Sequence, residues 1–318
     1  MLNIENNIYY YNMILKLLFI TILCAIIYLI YIYVKKNEGF VSNTGNTNVC
    51  LYAYYEKNEL YKNNLLYFLE NGLLDNIDYY FIINGTHSID FPIKNNIKII
   101  QRENVGFDFG AYSYAITNII KNKYDYYIFL NATVKGPYLN NNKNWLDTFL
   151  ELFTKKVKLV GTSICFTKDE RVKSAFNIDS IYFVQTMFFI INKELFEYLI
   201  NNNFFNDEKI LNEETILQNI VINKEMYLSH LTYKSGGNIN CYLSKYRDLD
   251  FTKIKNDINP TSFNGDPYFP NRYWCSTIMP NDVIFYKNKR MIEDTITIKN
   301  ELKLDELNIK EICKDNNI

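Results

Sequence analysis

Residues Arg102–Tyr138 read RENVGFDFGAYSYAITNIIKNKYDYYIFLNATVKGPY, and this stretch decides the fold. Its beginning is polar and carries glycine. Gly110–Lys121 then has the apolar spacing of a helix, and Tyr124–Asn131 is a short, strongly apolar run of the kind that forms a buried strand. A second polar loop, Ala132–Tyr138, follows. Upstream, Val49–Tyr55 predicts a strand, Glu59–Asn71 a helix, Asp78–Asn84 a strand and Ile97–Gln101 a short strand. Downstream, Trp145–Phe153 predicts a helix, Val157–Cys165 and Tyr182–Ile191 each one strand, and Lys193–Asn201 and Glu213–Val221 helices. Strands alternating with helices of this length predict an α/β domain with a mixed, mostly parallel sheet covered on both faces. Ligands in such sheets bind beyond the carboxyl ends of the strands.

The polar residues just after those strands are therefore the candidate site. Gly106 lets the backbone come close to a ligand, and backbone N–H groups in such a loop can meet an anion. Asn104 and Asp108 can hydrogen-bond a polar ligand. Arg102 can neutralise an anion or hold Asp108. The competing assignment is plain local structure, with Asn104-Val105-Gly106 a turn and Asp108 the cap of the next helix. Tyr54 or Tyr55, at the end of the first strand, can stack on a nucleobase or simply pack.

The motifs E-N-V-G-F-D-F-G-A-Y and F-L-N-A-T-V-K-G-P-Y, with TIMPNDVIFYKNKR at Thr277–Arg290, resemble the GT-A glycosyltransferases, and within them the rhamnan-synthesis F-type family. The resemblance runs from about Val49 to Arg290. It implies a GT-A-like single domain, a nucleotide-sugar donor, hexosyl or deoxyhexosyl transfer, and a glycan, lipid or protein acceptor. The domain is expected over 49–296, followed by a charged tail at 297–318. The implied donor-binding residues are Arg102, Asn104, Gly106, Asp108, Asn131, Thr133, Lys135, Gly136, Lys287 and Arg290. Glu213 and Glu214, in LNEETILQNIV, are candidates for the general base an inverting transfer needs; a helix N-terminus favouring carboxylates explains them equally well.

One departure from the GT-A pattern bears on chemistry. Most such enzymes place a D-x-D pair at the end of this strand to hold Mg²⁺ or Mn²⁺ on the diphosphate. Here the positions are Asn131, Ala132 and Thr133, which supply no charge. A divalent metal is therefore in doubt. Lys135, Lys287 or Arg290 can neutralise the leaving diphosphate instead. Where related sequences have a histidine in the last block, this chain has Met279. A catalytically reduced domain that binds a glycan or partner is the alternative function.

The remainder of the 318 residues narrows the class. With 48% hydrophobic and 16% aromatic residues the chain is too apolar for a disordered one. Lys+Arg number 34 against 35 Asp+Glu, a balance without the basic excess of a nucleic-acid binder. There are two histidines, His87 and His230, and no metalloprotease helix, P-loop or nucleophile-elbow motif. Leu17–Val34, LLFITILCAIIYLIYIYV, is uncharged and about as long as a bilayer-spanning helix. It predicts a single-pass anchor over 13–34 after a short tail at 1–12, with a polar linker at 35–48. The flanking charges do not decide which side of the membrane the body faces. Six cysteines with no C-x-x-C spacing argue against a zinc site.

Overall fold

The computed structural model describes residues 15–16, 18–26, 28, 45–120, 124–139, 144–206, 217–287, 309 and 312–314. Two compact units divide the chain. In the unit formed by Met1–Val41 and Asn118–Lys121, the described residues between 15 and 28 are helical and exposed. Among the described residues, no helix is long and apolar enough to cross a membrane. The anchor expected over 13–34 extends beyond those residues.

The larger unit is α/β. Its strands in chain order are β1 (Asn48–Tyr54), β2 (Ile77–Asn84), β3 (Ile97–Arg102), β4 (Tyr126–Asn131), β5 (Val157–Gly161), β6 (Ile164–Thr167), β7 (Ile181–Val184), β8 (Phe188–Asn192) and β9 (Asn238–Cys241). Seven of them form one sheet in the order β3-β2-β1-β4-β8-β5-β9. Only β8 runs against the rest, pairing antiparallel with β4 and β5. Every residue of β1 and β2 is buried, which explains why these strands read as continuous apolar runs rather than alternating ones.

The helices are α1 (Glu59–Asn71), α2 (Phe107–Asn118), α3 (Trp145–Leu150), α4 (Glu170–Phe176) and α5 (Lys193–Asn201), then α6 (Leu217–Ile220), a π-helical turn (Val221–Met226) and α7 (Tyr227–Lys234), and last α8 (Pro280–Val283). Asn58 starts α1 by accepting from Tyr61 N–H at 3.1 Å, satisfying one of the donors a helix N-terminus leaves open. Stacked rings join the layers. Tyr127 lies on Phe196 at 3.7 Å, Phe129 on Phe189 at 4.5 Å, and Phe188 on Phe285 at 4.3 Å.

Three sequence expectations are corrected. Val157–Cys165 and Tyr182–Ile191 are each two strands, broken at Thr162-Ser163 and at Gln185–Met187. The breaks face one another: the Ser163 hydroxyl donates to Gln185 Oε1 at 2.6 Å, and Gln185 N–H donates to Ser163 O at 3.2 Å. A polar pair satisfied this way lets both chains leave the main sheet together. They continue as the antiparallel β6–β7 ribbon. The helix expected to end at Val221 instead continues through the π turn to Lys234.

Candidate functional site

The carboxyl ends of β1 to β4 converge on one cavity of about 780 Å³. Each strand delivers lining residues at or just past its end. They are Ala53 and Tyr55 from β1, Asn84 from β2, Asn104 after β3, and Asn131, Ala132 and Thr133 at and after β4. The rest of the lining includes Cys165, Phe166 and Thr167 of the ribbon, Ile220 at the end of α6, and Val221, Glu225 and Met226 of the π turn.

The polar floor is one hydrogen-bond network. Asn131 Nδ2 donates to Asp108 Oδ2 at 2.7 Å, while Asn131 Oδ1 accepts from the Thr133 N–H at 3.0 Å and the Thr133 hydroxyl at 2.5 Å. Asp108 also accepts from Phe109 N–H at 3.0 Å. Burial pushes the Asp108 carboxyl above the ordinary carboxylate range, against the bond from Asn131 and the nearby positive charge of Lys287. The network explains the residue type at 131. A carboxylate there would face Asp108 across a hydrogen-bond distance, and like charges that close cannot both ionise without strong cost.

The two glycines of G-F-D-F-G have different tasks. Gly106 has φ +72°, the left-handed region that favours glycine, and its carbonyl accepts from Gly110 N–H at 2.7 Å. A Cβ on Gly110 would sit 2.1 Å from the Val105 carbonyl oxygen. The loop thus folds tightly back on the first turn of α2. Arg102 clamps the same loop, donating to Asn84 Oδ1 at 2.6 Å and to Val105 O at 2.8 Å.

The expected site residues separate on this geometry. Asn104, Asp108, Asn131, Thr133 and Lys287 all line the cavity. Arg102 and Gly106 lie behind the lining and shape it. Lys135 places its Nζ over the Tyr67 ring, 4.7 Å from the centroid, so it is not brought to the cavity. Gly136 packs against the C-terminal segment, where a Cβ would meet Ile284 O at 2.5 Å. Glu213, Glu214 and Arg290 lie outside the described residues. Of the two tyrosines, Tyr55 lines the cavity and is 44% exposed, whereas Tyr54 is core. Met279 is exposed and begins α8.

Glu225 is a cavity-lining acid that sequence reasoning missed. Its Oε2 accepts from Thr186 N–H at 3.1 Å and from the Thr186 hydroxyl at 2.5 Å. Burial raises its pKa above the ordinary range, opposed by those bonds and by Lys287 and reinforced by Asp108. An acid between Lys224 and Met226 in VINKEM carried no distinguishing signal of its own. It lay past the point where the helix was expected to end.

The residues at the D-x-D position fit a divalent metal poorly. Asn131 and Thr133 are neutral and already bonded to one another, and among the described residues no group of three His, Cys, Asp or Glu could hold an ion. Hard cations favour carboxylate-rich oxygen sets.

No family model matches the chain, and no curated protein matches it. Solved structures do. The apo bifunctional glycosyltransferase WbbM aligns over 63% of this chain and 39% of its own, at 10% identity and a TM-score of 0.34. Apo glycosyltransferase GlyE of Streptococcus pneumoniae TIGR4 aligns over 61% and 45%, at 12% identity and a TM-score of 0.34. Mannosyltransferase PcManGT of Pyrobaculum calidifontis, solved with GDP-Man and Mn²⁺, aligns over 50% and 48%, at 11% identity and a TM-score of 0.31. The chain thus spans less than half the length of each of these three. Scores this low mark a partial resemblance and no more.

Proposed function

We propose that this protein is a GT-A-like glycosyltransferase that binds a nucleotide sugar in the cavity beyond β1 to β4 and transfers the sugar to a glycan, lipid or protein acceptor. The observation that carries the reading is the Asp108–Asn131–Thr133 network at the carboxyl ends of the parallel strands, with Lys287 beside it. Asp108 and Asn104 offer the polar atoms that a ribose or base needs, and exposed Tyr55 offers a face for the base. Lys287 supplies the positive charge for the leaving diphosphate that a D-x-D-bound metal supplies elsewhere. The reaction then proceeds by direct displacement. The acceptor oxygen bonds to the anomeric carbon as the bond from that carbon to the diphosphate oxygen breaks, and the diphosphate leaves with the electron pair.

We read the apolar run 17–34 as a single-pass anchor for this body, supported by its length and lack of charge. Resistance of the full-length chain to alkaline carbonate extraction checks it.

The test of the function uses the purified full-length chain with UDP-, GDP- and dTDP-linked hexoses and deoxyhexoses, with Mn²⁺ and with EDTA. A thermal shift with one nucleotide class and release of its diphosphate in EDTA is the expected outcome. No shift with any of them, from folded protein, would refute the reading.

A further inference from the structure

We infer that Glu225 is the proton acceptor of the reaction, taking the proton from the attacking hydroxyl or water. The inference rests on the function proposed above, and it assigns a residue that the sequence motifs did not mark.

Three features of the fold converge on Glu225. First, it sits in the π-helical turn Val221–Met226, between α6 and α7. An inserted residue in a helix shifts which side chains share a face, and π turns recur at functional sites for that reason. Here the turn brings Val221, Glu225 and Met226 together onto the cavity, while the neighbouring Lys224 is turned away and donates its Nζ to Phe204 O. Second, its carboxylate is held in place. Both Thr186 bonds fall on Oε2, and Thr186 itself is fixed in the break between β7 and β8 that faces Ser163. One oxygen is thus committed to the scaffold, and the cavity lining receives the group's remaining acceptor capacity. Third, apolar side chains line the cavity with it: Cys165, Phe166, Phe183 and Val221. The other carboxylates in the lining are Asp108, held by Asn131, and Asp266, which accepts from Tyr268 N–H at 2.9 Å.

The charged groups facing Glu225 are Lys287, from the C-terminal segment, and Asp108, from α2. Lys287 favours the ionised form and Asp108 opposes it. Burial moves the group in the direction a base working near neutrality requires. The two carboxylates then have separate work. Asp108 is engaged by Asn131 and by backbone N–H, and Glu225 by Thr186. The proton balance closes: the attacking O–H transfers its proton to the Glu225 carboxylate as its oxygen bonds to the anomeric carbon and the diphosphate departs.

The test is Glu225→Gln in the full-length chain, read with the nucleotide sugar that shifts the wild type. The amide oxygen can still accept from Thr186, so the fold and the donor pocket are retained. Diphosphate release, with water as acceptor, is expected to fall about 100- to 10,000-fold, the usual range for a lost acid–base group. Donor affinity should stay within about threefold, since the amide keeps the Thr186 bonds and the proposed donor contacts are made by other residues, Asn104, Asp108 and Lys287. The wild-type acid limb of the rate profile should be missing from the residual activity. In Thr186→Val, which removes the hydroxyl bond that favours the ionised form, that limb should move to higher pH. Wild-type rates in Glu225→Gln would overturn the inference. So would full loss of release in a Glu213→Gln/Glu214→Gln variant with Glu225→Gln active, or loss of donor binding in Glu225→Gln. A wild type that binds no nucleotide sugar would instead remove the function on which the inference stands.

Discussion

The two walls of the cavity are built on different principles. The strand-end wall is the edge of a parallel sheet, where β1 to β4 stop side by side and the last residues of β2 and β4, Asn84 and Asn131, both bond to the start of α2, at Phe107 O and Asp108. The other wall is made by departures from regular structure: a ribbon that leaves the sheet and a helix that widens into a π turn. The first wall is polar and internally satisfied. The second mixes apolar side chains with Thr167, Gln185, Thr186 and Glu225. A regular scaffold suits a feature that must hold a fixed, charged ligand, whereas an irregular one can place a single acid where no strand ends.

The most direct way to break this comparison is Asp108→Ala. Donor affinity should fall about 100-fold, because the loss strands the Asn131 amide as well as a ligand contact. Isothermal titration with the shifted nucleotide sugar checks it, and unchanged affinity would end the division of labour. A pair of glycines probes the walls separately. Gly110→Ala puts a Cβ 2.1 Å from Val105 O, and Gly265→Ala, at φ +78°, puts one 1.8 Å from Phe166 O. Each should cost about 1–3 kcal/mol in denaturant unfolding, as overpacking does. Only Gly110→Ala should also weaken donor binding, since Gly265 braces the ribbon.

A smaller effect is expected at Lys287. Lys287→Gln should slow diphosphate release about tenfold, the scale of one lost charge-assisted contact. EDTA should not slow the wild type; strong EDTA inhibition would assign the counter-charge to a metal. The smallest and most diagnostic change is Asn131→Asp. It places two carboxylates at hydrogen-bond distance, so one must bind a proton well above the ordinary carboxylate range. Above that raised value both carry charge, and they repel. Lowering the pH through it restores a hydrogen bond, so donor affinity of the variant should recover on acidification. The wild type, with an amide there, should lack that recovery. Titrations at several pH values decide it.

The strand-end wall was legible in the sequence because its cause is local. Polar residues follow apolar runs at Asn84, Asn104 and Asn131, and a parallel sheet brings such ends together. Asp108 was legible from its place in the glycine loop. What the neighbourhood could not convey was direction. Lys135 and Lys287 look alike as isolated lysines, yet one lies over Tyr67 and the other lines the cavity, a choice set by contacts far along the chain. The second wall was hidden for another reason. Apolar runs at 157–165 and 182–191 have the right composition for unbroken strands. The polar pairs that interrupt them, Thr162-Ser163 and Gln185-Thr186, mean something only when set face to face. Glu225 depended on the same long-range fit through Thr186.

The segment that carries Lys287 has a further consequence. Tyr286 exchanges backbone bonds with Lys135 at 2.8 and 2.9 Å, and Phe285 lies against Phe188, Trp145 and Phe68. Charge for the ligand and a plug for the interior therefore arrive on three consecutive residues. A chain still emerging from the ribosome has neither until those residues appear. Once they are seated, loosening the lysine means uncorking the core, so a bound donor should be felt as resistance to unfolding throughout the sheet.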